Sequence, residues 1–346
     1  MKFVHLHTHS HYSLLDGLAK IKDLIATAKE LKMNSLALTD HGNLYGAIEF
    51  YKEAKAAGIK PILGAEIYVA PRTRFNKEAK IDDQYFHLTL LAENNIGWHN
   101  LIKLISSAYL EGFYYKPRAD KELLEKYREG IIALSGCLGG EIPQFLVNDN
   151  FDEAKKTAEK YREIFGAENF FLEIGHHQNI KESVKANAVM KKLSAETGIP
   201  LVATQDIHYL KKEDAQYHDI LLAVQTGNKL SDDDRLTLKI DDFSMRSPEE
   251  MIEFFKDAPE AIENTVKIAE RCNVNLTLGK TLLPSFPIEE NISANQCLEK
   301  LISEKFPKRF PNPDEKILTR LKYELNVIEK TEYADYFLIV ADFVNW

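Results

Sequence analysis

Long apolar runs are missing from this sequence. No stretch of about 18 apolar residues occurs, so no membrane-spanning helix is expected. Cysteine is scarce: three in 346 residues, an odd number, widely spaced as Cys137, Cys272 and Cys297. That argues against a disulfide framework and for a reducing compartment, the cytoplasm. Met1-Lys2-Phe3-Val4-His5 passes directly into polar histidines, without the apolar stretch or cleavage site of a signal peptide. Basic charge is short as well. The 44 Lys and Arg are outnumbered by 53 Asp and Glu, for a net charge of −9. A surface that grips nucleic acid carries clustered Lys and Arg to displace counterions. This chain does not, so its substrate is small or its hold on nucleic acid comes from elsewhere. Carboxylates gathered around metal ions would account for some of the negative charge.

What is present is alternation. With 45% hydrophobic and 28% charged residues, the balance is that of a soluble globular protein. The pattern predicts strands over 3–6, 35–39, 61–69, 87–92, 131–135, 170–174 and 200–204. Helices are predicted over 18–33, 44–57, 96–110, 121–128, 151–165 and 181–197. In the first of these, Leu18, Ile21, Leu24, Ile25, Ala28 and Leu31 recur at spacings of three and four, the period of one buried helix face. Gly58, Gly130 and Gly198 stand where such helices stop. This alternation implies an α/β architecture of parallel strands with crossover helices. Seven strands favour a closed or nearly closed barrel over an open sheet, although pattern alone does not force the choice.

The expected division is a first domain over 1–283, with a barrel over about 1–210 and a helical extension over 211–283, followed by a second part over 284–346. Pro284, Pro287 and the polar stretch 289–293 read as a linker, and 317–330 as an amphipathic helix beyond it. The sequence stops at Trp346 inside an apolar helical run with no stop signal, as a piece of something longer would.

Chemistry-bearing residues cluster where the predicted strands end. His7 and His9, two apart, put both side chains on one face of extended backbone. Asp40-His41 follows the second strand, Glu66 sits within the third, and Cys137 is two residues past the fifth. Asp206 and His208, again two apart, follow the seventh. His87 is at the other edge of its strand and fits this pattern less well. In α/β barrels the C-terminal strand ends converge on one mouth, where active sites form. Imidazole, carboxylate and thiolate together favour zinc, manganese or iron over calcium.

Plainer readings stand beside these. His5, His11, His99, His176, His177 and His218 read as ordinary surface or capping histidines, although His5 shares a strand face with His7. Asp40 is equally placed to cap the following helix. A lone Cys137 is more often a small buried residue than a ligand. Glu173 is either an outer partner of a ligand or a surface carboxylate. Convergence favours metal: two spacing-two pairs fall at the first and last strands, which barrel closure would make neighbours.

His-Leu-His-Thr-His-Ser at 5–10, Thr-Asp-His-Gly at 39–42, Gly-Ala-Glu at 64–66, Ser-Gly-Cys-Leu-Gly-Gly-Glu at 135–141 and Asp-Ile-His-Tyr at 206–209 resemble the polymerase and histidinol phosphatase (PHP) domain. They most resemble the version that opens the family of bacterial DNA polymerase III α subunits. Glu-Gly-Phe-Tyr-Tyr-Lys-Pro-Arg at 111–118, and the runs 323–325 and 336–343, are similar to the same family, the last two to the start of its palm. The resemblance implies a distorted barrel of seven strand–helix units followed by a mostly helical start of the palm. It implies two or three divalent ions: His7, His9, Glu66 and Asp206 around a first; Glu66, as a bridge, with His87 and Cys137 around a second; Asp16, His41 and His208 around a third. Asp16 and His87 rest mainly on the resemblance. Some members have lost several of these residues; here all nine positions can coordinate.

From this follow expectations about function. The site hydrolyses phosphate esters, foremost the 3′ end of DNA as a proofreading exonuclease, with Glu66, Asp206 and His9 central to catalysis. Lys116 and Arg118 would bind substrate phosphate, or form a solvated basic loop. The resemblance also implies, for a full-length parent, DNA-directed polymerisation with magnesium, and DNA, sliding clamp, clamp loader and proofreading subunit as partners. The palm's catalytic carboxylates and nucleotide-binding motif would lie beyond Trp346, so this stretch is not expected to polymerise. The rival readings are a metal-stabilised scaffold that docks the separate proofreading subunit, and a small-molecule phosphatase.

Overall fold

Eight strands form one curled, mixed sheet. They are β1 Ser35–Leu38, β2 Lys60–Val69, β3 Phe86–Ala92, β4 Phe113–Tyr114, β5 Lys116–Ala119, β6 Ile131–Leu134, β7 Phe170–Gly175 and β8 Leu201–Thr204. The structure is a computed structural model and describes residues 2–280, 282–288 and 291–346. Glu289 and Glu290 of the expected linker lie outside the described residues. The chain divides into two compact units, Met1–Leu276 and Thr277–Trp346.

Among the strands that periodicity predicts, two neighbouring pairs depart from the expected parallel order. β1–β2, β6–β7 and β7–β8 are parallel, but β3 runs antiparallel to both β2 and β6. No helix intervenes between β2 and β3, so no crossover exists to make that pair parallel. The first predicted strand, 3–6, is extended but is not a ladder strand. It is pinned at separate points: the Ala37 amide donates to the His5 carbonyl (3.0 Å) and the His9 amide to the Ile207 carbonyl (2.8 Å). Thr8 and Ile207 form an isolated parallel bridge. The segment thereby spans the gap between β1 and the end of β8, bringing the first and last predicted strands together. The motif at 111–118 forms a short hairpin, β4–β5, which periodicity does not reveal; β5 adds to the far end of β2.

The inner face of the curl changes character along its length. Ala37, Ile62, Leu91, Ile132, Phe171 and Val202 form an apolar plug against Ile268 and Ala269 of the helix Pro259–Arg271. Two or four residues nearer the mouth, the same faces of the same strands carry Glu66, Thr89, Glu173 and Thr204, all buried. The plug therefore walls the polar end off from one side. Outside the sheet the helices Ile21–Glu30, Ala47–Ala57, Asn95–Glu111, Phe151–Phe165 and Lys181–Thr197 fall where periodicity predicts them. Gly58 and Gly198 end two of them in the left-handed conformation, at φ 77° and 70°. Among the described residues after β8 only helices and loops follow, as expected. Among the described residues, no helix is long and apolar enough to cross a membrane.

The second unit is helical: Ala294–Arg309, Glu315–Lys330 and Ala334–Asn345. Ser293 starts the first helix with a capping box, its hydroxyl accepting from the Gln296 amide while the Gln296 side chain accepts from Ser293. Leu298, Ala334 and Leu338 form its small buried cluster.

Candidate metal centre

The mouth of the curl brings together all nine expected ligands. His7, His9 and Glu66 are fully buried, and Asp206 nearly so. The His7 and His9 Nε2 atoms are 3.1 Å apart. The Asp206 Oδ1 lies 3.3 Å from His7 Nε2 and 3.2 Å from His9 Nε2. The two Glu66 oxygens each lie 3.4 Å from one of these nitrogens. A tetrahedron with metal–ligand bonds of 2.0–2.1 Å has edges of roughly 3.3 Å. His7, His9 and Asp206 are therefore spaced as ligands of one ion are, with a Glu66 oxygen beside each histidine.

The reversal of β3 accounts for His87. In an antiparallel strand the N-terminal end reaches the mouth that the parallel strands reach with their C-terminal ends. His87 pairs with Tyr68 in the ladder, two residues beyond the Glu66–Thr89 pair and on the same face. Its Nδ1 lies 3.0 Å from Glu66 Oε1. Cys137 Sγ is 3.5 Å from that oxygen and 3.8 Å from His87 Nδ1. The glycines around the cysteine permit this approach. Gly136 has φ +84°, and a Cβ there would sit 2.6 Å from the His87 carbonyl oxygen. A Cβ on Gly139 would meet the His87 ring at 3.1 Å.

His41 links two groups. Its Nδ1 lies 2.8 Å from Glu66 Oε2 and its Nε2 lies 2.9 Å from Asp16. Yet among the described residues both His41 Nδ1 and Glu66 Oε2 lack an aligned hydrogen bond, as does Asp206 Oδ1. Buried polar atoms left unpaired are costly; shared ions would satisfy all three. His208 Nε2 is 3.7 Å from Asp16 Oδ1. Glu66 thus faces His7, His9, His41, His87 and Cys137, the placement expected of a bridge.

Ligand orientation is fixed from behind. His7 Nδ1 meets Glu173 at 2.7 Å, and Glu173 also accepts from the Thr204 hydroxyl. His9 Nδ1 meets the Ser13 hydroxyl at 2.9 Å, and Ser13 donates to Asp40 at 2.7 Å. Asp40 accepts further from the Ser10 amide and hydroxyl, so it is an outer acceptor rather than a helix cap. Asp206 holds φ at +53°. A left-handed non-glycine residue costs about 1–2 kcal/mol, here at the position that aims a carboxylate at His7 and His9.

Electrostatics follow from burial and proximity. Burial opposes charge on His41, but Glu66 and Asp16 outweigh it and push its pKa up to about 10. Burial likewise opposes the His7 cation, and Asp206, Glu173 and Glu66 still hold it above its ordinary value. His9 drops to about 3, through burial and then the neighbouring His41 and His208. Burial works against the Glu66 carboxylate, yet His87, His7 and His41 keep its pKa well below the usual range. Burial, then Asp206 and Glu66, raises the Cys137 thiol. Without ions the cluster therefore keeps protons on His7, His41 and Cys137, in positions a cation would take. The donor set fits divalent ions by chemistry and by spacing, and the trios His7–His9–Glu66, His41–Glu66–His87 and His9–His41–His208 each converge tightly enough to hold one.

Two expectations change, for His218 and Arg118, while Lys116 keeps its place at the rim. His218, ordinary by its sequence, is buried with Nε2 3.7 Å from Asp16 Oδ1 and unpartnered among the described residues. It sits on the helix Ala215–Thr226, beyond the barrel strands, and its sequence neighbourhood offers no ligand-like spacing. Arg118 is fully buried, its guanidinium donating to the carbonyl oxygens of Gly112, Asp82 and Asn76. It pins the hairpin loops and is not open to substrate. Lys116 is part-exposed, with Nζ 5.3 Å from the ring centre of Tyr68, which in turn stacks on His41 at 6.0 Å.

A mouth of histidines, carboxylates and a thiol on a curled mixed sheet is matched by a family model: residues 5–177 fit the PHP domain, and the chain belongs to that family. Residues 296–346 match the model described as the bacterial DNA polymerase III alpha NTPase domain. The chain is 47% identical to DNA polymerase III subunit alpha of Borreliella burgdorferi and 45% to that of Treponema pallidum, over 100% of this chain and 30% of each relative. With the Thermus aquaticus protein of the same name identity is 40%, over 100% of this chain and 33% of that one. The chain thus spans about a third of the length of these curated relatives.

Proposed function

We propose that this chain is a metal-dependent phosphoesterase that removes nucleotides from the 3′ end of DNA, a proofreading 3′–5′ exonuclease. The observation that carries it is the cluster of nine donor residues, with Glu66 at its centre facing five of the others, at a largely buried mouth. His7, His9, Glu66 and Asp206 would hold one ion; Glu66, His87 and Cys137 a second; Asp16, His41 and His208 a third, zinc, manganese or iron being the candidates. Bound there, such ions supply Lewis acidity and a water of lowered pKa. The chain's own side chains do the rest. Glu66 sets the separation of the ligand groups, and Asp206 and His9 hold their donor atoms in fixed geometry. Glu173 and the Ser13–Asp40 pair stop the imidazoles from turning. Lys116, at the rim, is placed to neutralise phosphate oxygens as a flexible cation.

In proteins as long as the relatives, this activity would accompany DNA polymerisation with magnesium in the cytoplasm. DNA would then be held by the remainder of the chain, in company with sliding clamp, clamp loader and proofreading subunit. The present net charge of −9 accords with a grip supplied elsewhere. The test is release of nucleotides from a mismatched 3′ end with manganese or zinc, in wild type and in His9→Ala and Asp206→Ala. Metal-dependent release lost in both variants supports the reading. Metal uptake by folded protein with no hydrolysis of any phosphate ester would replace it with a metal-stabilised scaffold.

A further inference from the structure

The metal mouth opens onto a cavity of about 380 Å³ whose remaining lining is mostly apolar. Asp16, His41, His87, Cys137, Asp206 and His208 form one side. Leu138, Ile180, Met190, Leu222 and Leu238 contribute the larger aliphatic part of the lining. The volume lies in the range of small-molecule sites, which are mostly apolar with a few placed polar groups. The phosphoesterase reading gives the apolar side no task, because an ester needs only its phosphorus near the donors.

Six further polar residues share the lining, Gln144, Glu173, His177, Ser183, Asn187 and Thr204, of which Thr204 donates to Glu173. Gln144 donates through Nε2 to the Leu138 carbonyl (2.7 Å), which leaves its Oε1 as an acceptor. Asn187 donates through Nδ2 to the Gly175 carbonyl and keeps its own Oδ1. His177 lines the cavity, is 7% exposed, and stacks on Phe243 with ring centres 4.1 Å apart and planes 18° apart. Its Nδ1 is buried and unpartnered among the described residues. Burial lowers the His177 pKa, so the ring is neutral and able to accept or donate at neutral pH. An aromatic pair, two amide acceptors and an orphaned imidazole nitrogen between aliphatic walls describe a slot for something flat that is apolar on its faces and polar at its edge.

We infer that this cavity is a nucleobase subsite, which holds the base of the terminal nucleotide while its 5′-phosphate lies against the metal ligands. The inference rests on the phosphoesterase reading for the position of the phosphate. The base lies along the aliphatic wall and the His177–Phe243 pair, with its edge toward Gln144, Asn187 and His177. Stacking tolerates every base, so this slot requires a base without choosing among them.

The experiment compares two diesters on the full chain with manganese: thymidine 5′-(p-nitrophenyl phosphate) and methyl p-nitrophenyl phosphate, which differ in the nucleoside. Wild type is expected to prefer the thymidine ester by about tenfold or more in kcat/KM, mainly through KM, in line with stacking energies for a single base. In Leu238→Trp, which fills the cavity, and in His177→Ala, which removes the stacking partner, that preference shrinks toward one. No preference in wild type, or a preference that survives in both variants, overturns the subsite. If neither ester is hydrolysed, the phosphoesterase reading fails separately. Calorimetric binding of dAMP against 2-deoxyribose 5-phosphate then decides the subsite: tighter dAMP supports it and equal affinity refutes it.

Discussion

The floor and the rim of the metal centre are built differently. On the floor His7, His9 and Glu66 are sealed from solvent, Asp206 beside them is 7% exposed, and each histidine has a buried partner behind it. On the rim Asp16, His41, His87 and Cys137 are part-exposed, and Asp16 and Cys137 come from loops. The floor donors are fixed before an ion arrives. Those of the rim gain their order from one another and from the ion. The expected consequence is a tightly held floor ion and more exchangeable rim ions, since outer-shell orientation strengthens affinity.

The sharpest way to break this contrast is to remove a floor donor. Asp206→Ala is expected to lose the tightly held ion and all hydrolysis, with elemental analysis and nucleotide release as the readouts; a full metal complement would end the distinction. Next in size, Glu173→Gln should weaken the floor ion by about 10- to 100-fold in a chelator competition, because His7 loses its orienting carboxylate. Cys137→Ser should weaken only a rim ion. If the two variants lose the same ion equally, floor and rim are one unit.

Protons give a third test. His7, His41 and the Cys137 thiol retain protons in the ion-free cluster, so metal binding must release them and affinity must rise with pH. Calorimetry in two buffers of different ionisation heat reads the release; equal heats would contradict it. A smaller effect is expected of His218→Ala, a few-fold loss at the rim through Asp16, with the floor ion unchanged by chelator competition.

The smallest effect lies behind the site. Burial, only partly offset by the hydrogen bond to the Arg246 carbonyl, lowers His5 from 6.5 to about 4. Through that window the unfolded chain binds a proton that the folded chain refuses. Stability from this residue is therefore complete above 6.5 and declines as pH falls toward 4. Denaturant titrations on either side of the window should show the decline in wild type and a flatter profile in His5→Gln.

Legibility in sequence divides along physical lines. Helix spans and most strands are legible because periodicity of three and four, or short β-branched runs, bury a face locally. His7 and His9 are legible because spacing two on extended backbone fixes a shared face, and Asp206 and His208 because they follow directly on a predicted strand, although Asp206 itself turns left-handed. Strand direction is not, since nothing in 86–92 records that its neighbour arrives without a crossover helix; hence the poor fit of His87. The segment 3–6 bonds to two partners at scattered points, a tertiary fact invisible in its own residues. Arg118 resembles a phosphate ligand because charge is visible in sequence and burial among carbonyls is not. His218 stands alone in the sequence and His177 is half of an adjacent pair with His176; only the fold sets one against Asp16 and the other against the cavity.

The way the N-terminal segment spans the gap has a consequence for how the protein is made. His7 and His9 leave the ribosome first, while Asp206, and Ile207 whose carbonyl and amide tie down the segment, emerge some two hundred residues later. Until then the histidines have no carboxylate from the last strand, and the segment has nothing to close against. Correct metal loading is thus deferred to the end of the barrel's synthesis. A nascent chain meeting free metal early could only trap it in a partial set of ligands.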